Sequence, residues 1–466
     1  MAKIAFGVGS GTTALDVLLS VGVPYVRSAH ITLASAHLAH AGCCRLTMQV
    51  AVLLGPWFLA DRLIILDAHV WSRPWRCVVD FCAIVVPACA ALLCEGPADM
   101  LRLHLLLVLP TLLLWPLLRR QDEALSPRAI GALDKLNGAR LPALTQLRGT
   151  GYVQLSFVIL AVDFPLLPRR HAKTLTYGKS FMDLGVGGVI CISALMQRWR
   201  VSSAARPPTG TRRLSLVFLR HLPLLMLGAG RLMAVRLSDY HEVHSEYGTH
   251  WNFFFTLGIV AAAAAAATPA NPYAAAVAGL SVLLAHQAAL SGGLAAYVEH
   301  APRLSLISAN KEGLASLAGY IGLWLLADGT SGILLRPRAS FAEWWRSLTR
   351  LCAAALVLGA CTAVIEAIIG QGSSRRLCNL PYALWTLSMV LLCLCACLLT
   401  SLIRPVDPPP PLLTAISTRP LTIFLAANLL TGAVNLSMPT MGMADAPAAA
   451  VLSTYMAVVC ALAVAL

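Results

Sequence analysis

Apolar runs near twenty residues long alternate with short polar stretches over most of the chain. They fall near 14–35, 45–67, 78–94, 101–118, 150–167, 181–197, 214–235, 251–268, 273–291, 313–328, 347–370, 380–403, 420–440 and 447–466. At 1.5 Å per residue, a run of about 20 crosses a hydrocarbon core of about 30 Å as a helix. The runs lack the period-two alternation of barrel strands, so the pattern predicts helices. The run at 14–35 is the weakest, because it holds Arg27 and His30. The expected fold is all-α: a polytopic integral membrane helical bundle of about 13 transmembrane helices, with a fourteenth if the weak run counts. Residues 1–466 read as a single transmembrane domain, and the longest loop, about 119–149, is too short to build a soluble one. The stretch AAAAAAATPANPYAAA reads as a helix end, a short turn at Pro269–Pro272, and a helix start.

Composition agrees. Of 466 residues, 58% are hydrophobic and 12% charged, with mean hydropathy +0.74, whereas soluble domains carry about 25% charged residues. The net charge of +14 sits in arginine-bearing loops between apolar runs. That placement points to topology and a lipid bilayer as partner, and to no nucleic acid. Most of the 14 cysteines lie inside apolar runs, as in LLCLCACLLT, and read as small buried hydrophobes rather than a zinc or disulfide framework. MAKIAFGVGSGTTALDV lacks a proper signal-peptide core, so the first span is expected to act as the insertion signal.

The loops set orientation. RWRVSSAARPPTGTRR, within 197–213, has five arginines and no acid, and is expected on the cytoplasmic side. Alternating the spans puts 119–149, 331–345 and 404–419 on that side. It puts 166–180, 238–252, 297–313 and 371–382 on the other. The second group holds most of the His, Asp, Glu, Tyr and Asn able to do chemistry, so a site near the lumenal or external face is expected.

Four constellations stand out. In VILAVDFPLLPRRHAKTLTYG, a carboxylate, Asp163, ends an apolar run and cations follow at Arg169, Arg170 and Lys173. A charge there costs roughly 2.5–3.5 kcal/mol on insertion scales, so it is paired, wetted or functional. Pro165 and Pro168 end the helix, and the turn could bring the cations back toward Asp163. One reading is an acid/base centre, with Asp163 as base and Lys173 offsetting developing negative charge. The other is an interfacial salt bridge, with Arg169 and Arg170 on lipid phosphates. DYHEVHSEYGTHWN packs Asp239, His241, Glu242, His244, Glu246 and His250 together, but HEVH is not H-E-x-x-H and no metal is expected. It reads as an interfacial loop, or as a headgroup or proton-transfer site. In SANKEG, Asn310 is a candidate helix cap, and Arg375 and Arg376 of SSRRLCNLPYALW are candidate phosphate contacts. Asn428, Thr431 and Asn435 share one helical face, for interhelical hydrogen bonds or a cavity lining.

Five segments in this order, LAVDFPLLPRRHAKTLTYGKSFMDLGVGG, SEYGTHWNFFFTLG, SLISANKEGLASLAGY, RRLCNLPYALW and NLLTGAVNLSM, resemble one family. It is the inositol acyltransferases of GPI-anchor biosynthesis, the GPI-anchored wall transfer protein and PIG-W family. The resemblance covers 146–466 well and the helices of 1–145 weakly. It implies a multi-pass endoplasmic-reticulum enzyme that moves a fatty acyl group, usually palmitoyl, from acyl-CoA to the inositol 2-hydroxyl of glucosaminyl-phosphatidylinositol. It implies Asp163 and Lys173 as the catalytic pair, and acyl-CoA as co-substrate without a resident cofactor. Glu246, Tyr247, His250 and Asn252 match the family pattern, while His244 is shifted by one place. His171 stands where an aromatic is usual, Leu175 where Glu is usual, and Pro439 where Asn is commoner. Arg169, Arg170, Arg303, Asn310 and Asn435 complete the expected substrate contacts. The rival from another class is a transporter of a lipid or solute, although no internal repeat is present.

Overall fold

Proline and asparagine set most of the helix starts. The computed structural model describes residues 73–94, 128–138, 140–202, 211–237, 244–403 and 409–466. All of these belong to one compact unit, Thr47–Leu466. The expected spans at 14–35, 45–67 and 101–118 lie outside the described residues, as do Asp239, His241 and Glu242.

The first described helix, α1, runs from Arg73–Asp80 through a π turn at Phe81–Val85 into Val86–Leu93. Then come α2 (Arg128–Asn137), α3 (Pro142–Ala161), α4 (Leu184–Ser202) and α5 (Thr211–Leu237). Next are α6 (Phe253–Ala267), α7 (Pro272–Ala289, extended by a π turn at Leu290–Leu294 to Ala295–His300) and α8 (Lys311–Leu334). The chain closes with α9 (Phe341–Ile369), α10 (Leu380–Ile403), α11 (Pro411–Thr418), α12 (Pro420–Ser437) and α13 (Asp445–Ala465). Asn252, Asn271 and Ser340 cap α6, α7 and α9, their side-chain oxygens accepting first-turn amides. Among the described residues no strand occurs, and seven helices are long and apolar enough to span a bilayer: α1, α7, α8, α9, α10, α12 and α13. The all-α polytopic reading holds, and so does the turn between α6 and α7.

Two expectations need correction. The loops 119–149 and 404–419 are not wholly loop, for they contain α2 and α11. Leu412, Leu413 and Ile416 of α11 are buried against α1, α3 and α13. Its apolar turn is too short to read as a span, yet long enough to fill the core. Expected ends also shift: α8 extends from 313–328 to Lys311–Leu334, and α9 begins at Phe341 rather than 347.

Backbone and side-chain hydrogen bonds gather the connecting segments into two groups. Gly178 N donates to Ser373 O at 2.8 Å, and Thr249 N to Ala309 O at 2.9 Å. These bonds tie 164–183 to 371–379, and 244–252 to 301–310. At the other end, Asn137 Nδ2 donates to Arg338 O, Trp199 Nε1 to Gly138 O, and Arg198 to Pro269 O and Ala270 O. Buried Arg198 also pairs there with buried Asp328. The grouping matches the two sides expected from alternation. Helices α7 and α8 approach closely through small residues. A Cβ at Gly279 would collide with the Leu326 amide, and one at Gly329 with Ala276.

Candidate functional site

The strap between α3 and α4 starts where prolines forbid more helix. Asp163 N still donates to Leu160 O at 3.0 Å and Phe164 N to Ala161 O at 3.1 Å, and then Pro165 and Pro168 turn the chain out. Buried Phe164 and Leu167 anchor the strap in the apolar core. Asp183, 0% exposed, closes it: its carboxylate accepts Thr174 N, Ser180 N and Ser180 Oγ.

A chain of charge grows from this carboxylate. Arg375 Nε donates to Asp183 Oδ1 at 3.0 Å, Arg375 Nη1 to Glu246 Oε1 at 3.0 Å, and Lys173 Nζ to the same oxygen at 2.7 Å. Tyr382 OH donates to Asp183 O and Tyr320 OH to Arg375 O. Arg375 is 5% exposed and Lys173 44% in their side chains, so the chain runs from core to surface. Burial alone would raise the pKa of Glu246. The Arg375 and Lys173 cations outweigh burial and leave it below its ordinary value, so Glu246 is an ionised bridge.

This charged group forms one end of a cavity of about 1290 Å³ walled by α3, α4, α5, α10 and α12. Lys173, Arg231, Glu246, Tyr247 and Arg375 line the polar end. From there the wall turns apolar, along α3 from Val162 past Val158 and Leu155 to Leu147. With Gly151 between the last two, those positions repeat every three or four residues, so they share one helix face over about 22 Å. Ile192, Ala396 and Cys397 line the wall beside them. The volume exceeds the roughly 300–1,000 Å³ of pockets for drug-sized ligands.

Of the expected site residues, Lys173, Glu246, Tyr247, Asn252 and Asn435 line this cavity. Asp163 stands behind Asn435, whose Nδ2 donates to Asp163 Oδ2 at 2.8 Å, and follows the lining residue Val162. Lys173 is paired with Glu246 and Asp163 is bonded to Asn435, rather than with one another. Asn428, Thr431 and Asn435 all line the cavity, and Thr431 also donates across to Tyr455. Asn252 caps α6 and donates to Gly228 O, so its amide is committed to structure.

Arg169, Arg170, His250, Arg303 and Asn310 are not lining residues. Arg169 donates to Val162 O at 2.8 Å and Arg170 to Cys94 O, both tying the strap down. Arg303 is bound to buried Glu312 and Ala309 O. Asn310 does not cap α8 through its side chain, because its Oδ1 accepts His250 N and its Nδ2 donates to Leu306 O. Arg375 was expected on phosphate, and its donors go to Asp183 and Glu246. Asp183 is not among the expected site residues. A carboxylate at the threshold of an apolar run carries the same cost as Asp163 and was the available signal.

His171 is buried and meets Phe181 edge-on, ring centroids 6.2 Å apart. Burial, with Arg170 adding to it, lowers its pKa from 6.5 to about 4. Its folded value is below its unfolded one, so its stability contribution is full above about pH 6.5 and is lost as pH falls toward 4. His171→Phe is expected to keep the ring contact and flatten this loss. The check is the thermal midpoint between pH 7 and 4.5, and equal slopes for wild type and variant would contradict it.

These features define a class: a polytopic helical membrane protein with a long apolar cavity ending in a buried charge network. The chain belongs to the GWT1 family, which matches residues 29–466. A Dictyostelium discoideum protein named phosphatidylinositol-glycan biosynthesis class W protein is 30% identical over 429 residues, 83% of this chain and 86% of that one. An Aspergillus fumigatus protein named GPI-anchored wall transfer protein 1 is 35% identical over 442 residues, 84% of this chain and 87% of that one. An uncharacterized Arabidopsis thaliana protein is 36% identical over 305 residues, 64% of this chain and 67% of that one.

Proposed function

We propose that this chain is an acyl-CoA-dependent O-acyltransferase of the endoplasmic reticulum membrane. It transfers a fatty acyl group, palmitoyl by preference, to the inositol 2-hydroxyl of glucosaminyl-phosphatidylinositol during GPI-anchor biosynthesis. One observation carries the reading: the cavity joins a charged mouth to an apolar groove about the length of an extended long-chain acyl group. Family membership supports the pathway. Among the described residues, those lining the Leu147 end carry no charge, as an acyl-chain groove requires.

The chemistry follows from the mouth. The acyl chain lies along α3, which puts the thioester carbonyl near Val162. The inositol hydroxyl approaches from the strap side, and Asp163 accepts its proton as the oxygen attacks. Lys173 stabilises the oxyanion. The C–S bond then breaks, and the proton held by Asp163 passes to the departing CoA thiolate. Lys173 and the exposed Arg231 at the mouth suit the phosphodiester of the acceptor, while Arg375 is held by Asp183 and Glu246. Aligning two lipids supplies up to roughly 7–11 kcal/mol in favourable cases.

Ala396→Phe tests the groove. The larger ring is expected to raise KM for palmitoyl-CoA about tenfold or more and to leave decanoyl-CoA nearly unchanged. Unchanged preference for palmitoyl would place the acyl chain elsewhere.

A further inference from the structure

A second pocket, of about 470 Å³, lies in the other group of connections, where α8 ends and α9 begins. Helix α8 has 24 residues, so the pocket is about 36 Å along that helix from the Lys311 end. It is lined by Arg336, Arg338, Glu343, Arg346 and Arg350. The acid is occupied: Glu343 Oε2 accepts Ala339 N and Glu343 N donates to the Ser340 cap. Arg336, Arg346 and Arg350 are exposed and have no ion-pair partner among the described residues. Arg338 is only 9% exposed. Its Nη2 donates to Leu334 O, while its Nε is buried with no partner. Burial and the neighbouring Arg336 hold Arg338 below its ordinary pKa. Four guanidinium groups around one committed carboxylate form a preassembled anion site. Its back is fixed, since Asn137 brackets both the amide and the carbonyl of Arg338.

The surface that continues from the pocket identifies the ligand. Arg346, Arg350, Val357, Val364 and Ile368 fall at helical spacing on one face of α9, and all are exposed. Val357, Val364 and Ile368 are 60%, 57% and 78% exposed. The stripe thus passes from cation to aliphatic along a helix apolar enough to span a bilayer. Trp345 beside it is 42% exposed, as expected of a side chain at a membrane interface. A free phosphate would need only the pocket, whereas a lipid would use both pocket and stripe.

We propose that this pocket binds the phosphate of an anionic glycerophospholipid, with its acyl chains along the exposed stripe of α9. The test uses the purified full-length chain in detergent and native mass spectrometry, titrated with dioctanoyl phosphatidic acid. Saturable binding is expected, weakened about tenfold or more by Arg346→Gln with Arg350→Gln. Both positions are exposed, so the double variant should melt close to wild type, and Arg346→Gln alone gives a smaller loss if it does not. Dioctanoyl phosphatidylcholine should bind at least tenfold more weakly. Equal binding by wild type and variants would overturn the proposal, as would equal binding of phosphatidylcholine. Displacement of the lipid by inorganic phosphate at matching concentrations would assign the pocket to free phosphate and overturn the lipid.

Discussion

Asp163→Asn is expected to lower acyl transfer by roughly 10²–10⁴-fold, the range for loss of a general base. The thermal midpoint should move little. Asparagine is nearly isosteric, and its side-chain carbonyl still accepts from Asn435 Nδ2, the contact Asp163 makes at 2.8 Å. What is lost is the ability to take the inositol proton. The check is the rate with labelled palmitoyl-CoA in microsomes that lack endogenous activity, at matched protein level. A variant that folds and turns over at near the wild-type rate would remove Asp163 as the base.

Arg375→Met is expected to damage the fold itself. Arg375 is the cation between Asp183, which is fully buried, and Glu246. Removing one partner of a buried pair leaves an uncompensated charge and costs about 3–5 kcal/mol. The loss should be seen as reduced yield and a lower thermal midpoint, with transfer falling in parallel as the strap loosens. Adding Asp183→Asn removes the stranded charge while keeping a side chain that can accept from Thr174 N and Ser180 N. The double variant should therefore recover part of the midpoint. Additive losses in the double variant would show that the pair is not coupled.

These two predictions differ in how far the sequence alone could reach them. Asp163 and Lys173 are ten residues apart, in a run whose prolines and charges are anomalous for a span, so they were visible at once. Their partners were not. Glu246 is 73 residues from Lys173, and Arg375 is 192 from Asp183. Hydrophobic periodicity says where helices lie, and says nothing about which helix ends meet. Arg375 therefore looked like one of two adjacent loop arginines facing phosphate, whereas folding turns it inward. Asn310 shows the same limit on a smaller scale. Its position before α8 fits a cap, but the neighbouring Thr249–His250 backbone competes for its oxygen. The helices α2 and α11 were hidden because a helix of eight or ten residues is too short to read as a span. The two-sided grouping of the loops was legible, because charge bias and span alternation are global properties that survive errors at individual ends.

The most direct test of the account is to incubate the purified chain with palmitoyl-CoA and glucosaminyl-phosphatidylinositol and to analyse the products by mass spectrometry. The account predicts one palmitoyl ester on the inositol ring and free CoA in equal amount, with neither formed by Asp163→Asn. A folded wild-type chain that binds both lipids yet releases no CoA and forms no ester would contradict it.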